Sequence, residues 1–92
     1  MVSPAIFLTL RNKKQLTHDV YELEYGSDVV LPILPGQFLL CDTAEDPKLR
    51  RSYSVSWVET NSIFFIIKRL SDGKGGSVAI CDQEVGHSMQ IW

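Results

Sequence analysis

The run Ile63-Phe64-Phe65-Ile66-Ile67 restricts the fold of this chain more than any other feature. It sits between a turn at Asn61-Ser62 and the charged Lys68, too short for a helix and rich in the β-branched and aromatic residues that suit a pleated strand. Its expected place is a central strand buried on both faces. Around it, strand-like segments bounded by turn residues recur at short intervals, which points to a sandwich or barrel and not to strands alternating with helices.

Ile6 to Gln15 reads as a first extended run. In Val20 to Tyr25, Val20, Glu22 and Glu24 alternate with Tyr21, Leu23 and Tyr25, as in a strand with one face in a core. Gly26-Ser27-Asp28 turns the chain. Pro35-Gly36 introduces Phe38 to Cys41, and the polar stretch from Ala44 to Leu49, with Pro47 inside it, reads as a loop. Ser52 to Val58 is expected as one strand, hairpinned through Asn61-Ser62 to Ile63–Lys68. After the glycine-dense Ser71 to Gly76, Ser77 to Cys81 fits one or two helical turns with Ser77 near the N-cap. Met89 to Trp92 resembles a last strand. The fold class is therefore all-β with one short helix.

The chain has 92 residues, 45% of them hydrophobic and 22% charged, which suits one small folded domain over residues 1–92. A net charge of −2 argues against a domain built to neutralise nucleic-acid phosphates. No apolar run approaches the roughly 18 residues of a membrane span, and Met1 to Leu10 lacks a secretory leader pattern, so a cytoplasmic location is expected. Cys41 and Cys81 read as reduced core thiols, and His18 and His87 as solvent-facing turn residues without ligand spacing.

Two constellations carry chemistry. In Arg51-Ser52-Tyr53-Ser54, period-two alternation sets Arg51 and Tyr53 on one face, about 7 Å apart. A guanidinium can donate two parallel hydrogen bonds to a phosphate, and a tyrosine can lie on a flat ring while its hydroxyl reaches a polyol. Taken alone, the same residues also read as surface charge and barrel lining. In Gly73-Lys74-Gly75-Gly76-Ser77, glycines let the backbone approach an anion, and the helix that follows turns free N–H groups towards it. Taken alone, that stretch also reads as a hairpin turn, since it is neither a Walker loop nor a dinucleotide fingerprint.

The order of these elements resembles the flavin domains of the ferredoxin–NADP reductase superfamily over nearly the whole chain. Thr17 to Leu23 is similar to that family's second-strand opening and Pro35-Gly36-Gln37-Phe38 to the turn into its third. Arg51-Ser52-Tyr53-Ser54 resembles its Arg-x-Tyr-Ser motif, Ile66-Ile67-Lys68-Arg69 the strand beside the isoalloxazine, and Gly76-Ser77 the end of its phosphate loop.

The resemblance implies a six-stranded antiparallel Greek-key β-barrel with one short helix. It implies that Arg51 contacts the flavin phosphate, that Tyr53 packs on the ring or ribityl chain, and that Ser54, the catalytic candidate, sits near the flavin N5. Main chain at Ile67 and Lys68 would meet the pyrimidine end, and Gly75, Gly76 and Ser77 would hold the phosphate. Alternation puts Ser54 opposite Tyr53, so its role requires the ligand to wrap the strand edge. The implied cofactor is FAD, with FMN as the other choice because Gly-Lys-Gly-Gly-Ser is similar to the loop of phthalate-dioxygenase-reductase-like members.

The implied partners are an NAD(P)H-binding domain, expected beyond Trp92, and an iron–sulfur or haem acceptor. The 92 residues by themselves are then not expected to turn over NAD(P)H. The alternative is a flavin-free β-barrel serving as an interaction or oligonucleotide-binding module. That reading wants aromatics interleaved with Lys and Arg on one sheet face, whereas here the basic residues scatter.

Overall fold

A computed structural model describes residues 6–28, 30–45 and 48–92. Seven strands form one antiparallel sheet: β1 (Ile6–Gln15), β2 (Val20–Gly26), β3 (Phe38–Glu45), β4 (Lys48–Ser54), β5 (Trp57–Glu59), β6 (Ser62–Lys68) and β7 (Ser88–Ile91). The single helix among the described residues, α1, spans Gly76–Cys81. The strand order is β4-β3-β7-β1-β2-β6-β5.

The two ends of that order are neighbours in sequence, and this explains how the sheet curls. The Val55 amide donates to Gln37 O (2.9 Å) and the Val55 carbonyl accepts from the Gly36 amide (2.7 Å), while the Ser56 amide donates to Phe64 O (2.8 Å). One extended segment thus serves β3 up to Val55 and β6 from Ser56 onwards. The expected single strand Ser52–Val58 is accordingly two, and this division raises the strand count from six to seven. The pivot is fixed by Val55, which is buried while its neighbours Ser54 and Ser56 are exposed.

Burial follows the expected alternation in β2, where Leu23 and Tyr25 are fully buried and pack with Leu8, Leu10, Phe65, Ile80 and Met89 in one core. In β6 the outcome differs from two-sided burial. Ile63, Phe65 and Ile67 are buried, Phe64 is partly covered and Ile66 is exposed. β6 is central by pairing, between β2 and β5, but among the described residues its outer face is left open at Ile66.

The stretch 44–49 is also not a loop. β3 runs to Glu45 and β4 starts at Lys48, leaving only Asp46 and Pro47 of that stretch outside the described residues. Opposite charges face each other across the hairpin, Asp42 with Arg50 and Glu45 with Lys48, and such cross-strand pairs favour continued pairing. Asp42 is buried on the outer side of the sheet. It accepts from Arg50 Nε (2.8 Å) and Trp92 Nε1 (3.2 Å), with Lys48 Nζ at 3.8 Å, and the Arg50 guanidinium lies 4.4 Å from the Trp92 ring centre. The end of β7 is thereby tied to the β3–β4 hairpin.

Two turns place the remaining parts. Leu34 O accepts from the Gln37 amide (3.1 Å) across Pro35-Gly36, and Gly36 has φ 86°, the left-handed value that a type II turn needs at its third residue. At the other end of α1, Lys13 Nζ reaches from β1 to the carbonyls of Cys81 (3.0 Å) and Gln83 (2.9 Å), satisfying acceptors that a helix end leaves open. His18 and His87 lie exposed in turns, His18 Nε2 being 3.6 Å from Asp19 Oδ2.

Candidate functional site

β4 alternates strictly: Leu49, Arg51 and Tyr53 are half-buried, and Lys48, Arg50, Ser52 and Ser54 are exposed. Arg51 and Tyr53 therefore share the inward side, as their spacing requires. The Arg51 side chain leaves the strand towards the segment before α1, where Nη2 donates to Lys74 O (3.4 Å), while Nη1 donates to Arg50 O (2.9 Å). On its way it crosses Gly76, so closely that a Cβ there would lie 2.5 Å from Arg51 Cγ. Arginine, glycine pair and helix start form one cluster.

The helix start differs from expectation in its cap. Gly75 occupies the N-cap position with φ 93°, and Leu49 Cδ1 lies 3.5 Å from where its Cβ would be. Ser77 is inside the first turn, and its Oγ accepts from the Leu70 amide (2.9 Å), closing the segment between β6 and α1. A hydroxyl used in this way shapes the loop. The left-handed value at Gly75 is what permits the chain to turn from the loop into the helix at this point.

Tyr53 stands edge-on to Phe65 with ring centres 6.2 Å apart, and Phe65 stands edge-on to Tyr25 at 5.8 Å. The Tyr25 hydroxyl donates to Gln83 Oε1, deep in the core. Burial raises the pKa of both tyrosines above the ordinary value, so each remains a hydroxyl donor at neutral pH. Burial likewise pushes the free Cys41 thiol to about 12 and the Cys81 thiol to about 11, leaving both protonated and poor nucleophiles.

The remaining predicted residues lie around this cluster in different ways. Ile67 is buried in the core; its carbonyl is 4.0 Å from Cys81 Sγ and its register partner is Tyr21. Lys68 is exposed and faces Asp19 (3.7 Å), beside the β1–β2 turn. Ser54 is exposed at the end of β4, opposite Phe38 and on the other face from Tyr53. The structure thus joins Arg51, Gly75 and Gly76 and puts Tyr53 on their side of β4; Ser54 and Lys68 it holds apart.

One participant lies outside the motifs singled out in the sequence: Leu49 packs at Gly75, a contact its place two residues before Arg51 could have suggested. Within the glycine-dense stretch, it is the Lys74 carbonyl that receives Arg51, a pairing between two motifs that neither one shows by itself. A separate open cleft, lined by Thr43, Ala79, Asp82, Gln83, Glu84 and His87, lies beyond the other end of α1. Among the described residues its lining holds no lysine or arginine, and Asp82 is already engaged by Arg69 in a two-pronged pair of 2.9 and 3.0 Å.

No family model matches this chain, and no curated protein does. Solved structures do. Phthalate dioxygenase reductase, described as a modular structure for electron transfer from pyridine nucleotides to a 2Fe-2S centre, superposes with a TM-score of 0.81 at 24% identity. A ferredoxin reductase in carbazole 1,9a-dioxygenase does so with 0.78 at 27%. The chain has the ferredoxin-reductase-like barrel fold. A third such structure is a ferredoxin NADP+ reductase from Neisseria gonorrhoeae with bound FAD and NADP, with a TM-score of 0.79 at 16% identity. These superpositions cover 95%, 96% and 98% of the ferredoxin-reductase-like barrel seen here, but only 28%, 27% and 37% of the other chains.

Proposed function

We propose that this chain is the flavin-binding barrel of an NAD(P)H-dependent oxidoreductase, taking FAD or FMN and passing electrons to a one-electron acceptor. The observation that carries the reading is the Arg51–Gly76 contact beside Tyr53: a guanidinium held against a side-chain-free helix start, with a half-buried aromatic on the same strand face. These residues fit a phosphorylated ring ligand. A bound flavin would take up the two electrons of one hydride and release them one at a time.

The chain's own part is binding and orientation. Arg51 supplies charge for the phosphate and can exchange its bonds to the Arg50 and Lys74 carbonyls for phosphate oxygens, which are stronger acceptors. Gly75, Gly76 and Ser77 offer first-turn N–H groups that have no helical partner of their own. Tyr53 remains protonated and can donate to a ribityl oxygen. Main chain at Ile67 and Lys68 is assigned to the pyrimidine end, and Ser54 to the flavin edge if the ligand wraps the end of β4.

The likeness to reductases described with pyridine nucleotides, FAD and 2Fe-2S supports an NAD(P)H-binding domain and an iron–sulfur acceptor as partners, with a haem acceptor as the other choice. Among the described residues no helix is long and apolar enough to cross a membrane, and a cytoplasmic location is proposed. Titration with FAD and FMN, followed by flavin absorbance and fluorescence, tests the reading. Saturable binding is expected, weakened by about 1.5 to 3 kcal/mol in Arg51→Ala, the range for a hydrogen bond to a charged group. A wild-type chain that binds neither flavin, or an Arg51→Ala variant of unchanged affinity, would sink it.

A further inference from the structure

We propose that Gly76 is a positioning residue whose missing side chain sets the rotamer of Arg51, and with it the direction of the anion-binding guanidinium. Glycine at this position is not explained by the backbone: Gly36, Gly75 and Gly86 have positive φ, and Gly76 does not. As a helical residue it would be more stable as alanine. What requires glycine is the Arg51 side chain. A Cβ on Gly76 would lie 2.5 Å from Arg51 Cγ, 2.9 Å from Nε and 3.1 Å from Cδ.

The atom in closest conflict decides the consequence. At Gly26 the conflict is with the far end of Arg11, at its Nε, Cζ and Cδ, which a small swing of a flexible chain relieves. At Gly76 it is with Cγ, whose place depends on χ1 alone once the backbone is set. A side chain at 76 therefore forces Arg51 into another staggered well, a jump of about 120° that carries the guanidinium away from Lys74 O, or else displaces the helix start. Gly76 thus acts on the ligand through Arg51, and not by leaving room for the ligand itself. This step rests on the phosphate role proposed for Arg51.

The test is a double-mutant cycle of Arg51→Ala and Gly76→Ala, titrated with FMN and FAD, and with riboflavin as the phosphate-free probe. Each single substitution is expected to weaken FMN binding about tenfold or more, and the double to be no weaker than Arg51→Ala alone. Riboflavin affinity should be the same in all four proteins. Additive losses of FMN affinity would overturn the proposal, because alanine would then be blocking the ligand directly. So would a matching loss with riboflavin.

Melting of the ligand-free proteins gives a second readout that needs no flavin. Gly76→Ala should leave the melting temperature unchanged or lower it when Arg51 is present, and raise it by about 2–6 °C in the Arg51→Ala background, where the helical preference for alanine is released. Gly75→Ala, strained by its φ of 93°, should lower it in both backgrounds. Equal effects of Gly76→Ala in the two backgrounds would refute the contact. If the wild type binds no flavin while this thermal coupling is seen, the flavin reading falls and the positioning of Arg51 by Gly76 stands.

Discussion

Replacing Asp42 by Asn changes no heavy-atom count, yet it should remove much of what fastens β7 to the β3–β4 hairpin. The side chain of Asp42 is fully covered, whereas those of Arg50 and Lys48 are 40% and 52% exposed. The Arg50 bond at 2.8 Å belongs to the class of hydrogen bonds to charged groups, about 1.5 to 3 kcal/mol, and the half-exposed Lys48 at 3.8 Å adds at most about 0.5 kcal/mol. The amide keeps one acceptor oxygen, and solvent screens Arg50, so a loss of about 1.5 to 2 kcal/mol is expected. For a domain of this size that is a drop of about 10 °C in melting temperature.

The pH dependence of that loss isolates its cause. The Arg50 hydrogen bond, helped by the Trp92 N–H and the nearby cations and opposed by burial, holds the Asp42 carboxyl below its ordinary 3.8. A lowered folded value contributes stability that is present in full above the unfolded value and disappears as the pH falls through the folded one. The gap between wild type and Asp42→Asn should therefore be constant from about pH 5 to 8 and narrow below about pH 3.8. Urea unfolding followed by tryptophan fluorescence measures it. A gap under about 0.5 kcal/mol at pH 7, or one that persists undiminished in acid, would refute the ion-pair account.

Ser77→Ala should lower stability by about 1 kcal/mol through the lost Leu70 amide bond, and should change riboflavin affinity little, as urea unfolding and titration will show. A loss of FMN affinity without any loss of stability would assign the Ser77 hydroxyl, and not only its N–H, to direct phosphate contact. With their pKa values pushed to about 12 and 11, Cys41 and Cys81 should resist a thiol reagent at pH 8 in the native protein and react on unfolding. Fast native labelling of either would contradict their burial.

Where a strand obeys one local rule, it can be read from the residues. Val20 to Tyr25 has one solvent side and one core side, so its period of two appears directly in the letters. The Ile63–Ile67 run hides the same period because Ile66 is apolar without being buried, and composition cannot tell an uncovered face from a covered one. The segment from Ser52 to Val58, expected as one strand, divides into the end of β4 and the start of β5 for a different reason. Its local pattern is continuous, and only the change of partner at Val55 and Ser56, from residues near 37 to Phe64, divides it. That division comes from closure of the sheet, which no window of the sequence contains.

The candidate site divides along the same line between local and distant causes. That Arg51 and Tyr53 share a face follows from their spacing, and the structure has them so. Glycines before a short helix suggested backbone freedom and room for an anion, and at Gly75 the first holds, with φ at 93°. At Gly76 it does not. There the cause is a side chain 25 positions earlier in the chain, brought over the helix start because β4 packs beside α1. A glycine written into a sequence records that something cannot coexist with a Cβ; whether that is the backbone, a ligand or another residue depends on contacts far away along the chain. Here the contact is with the very arginine that the motif singles out, so the two constellations read separately in the sequence are one structural unit.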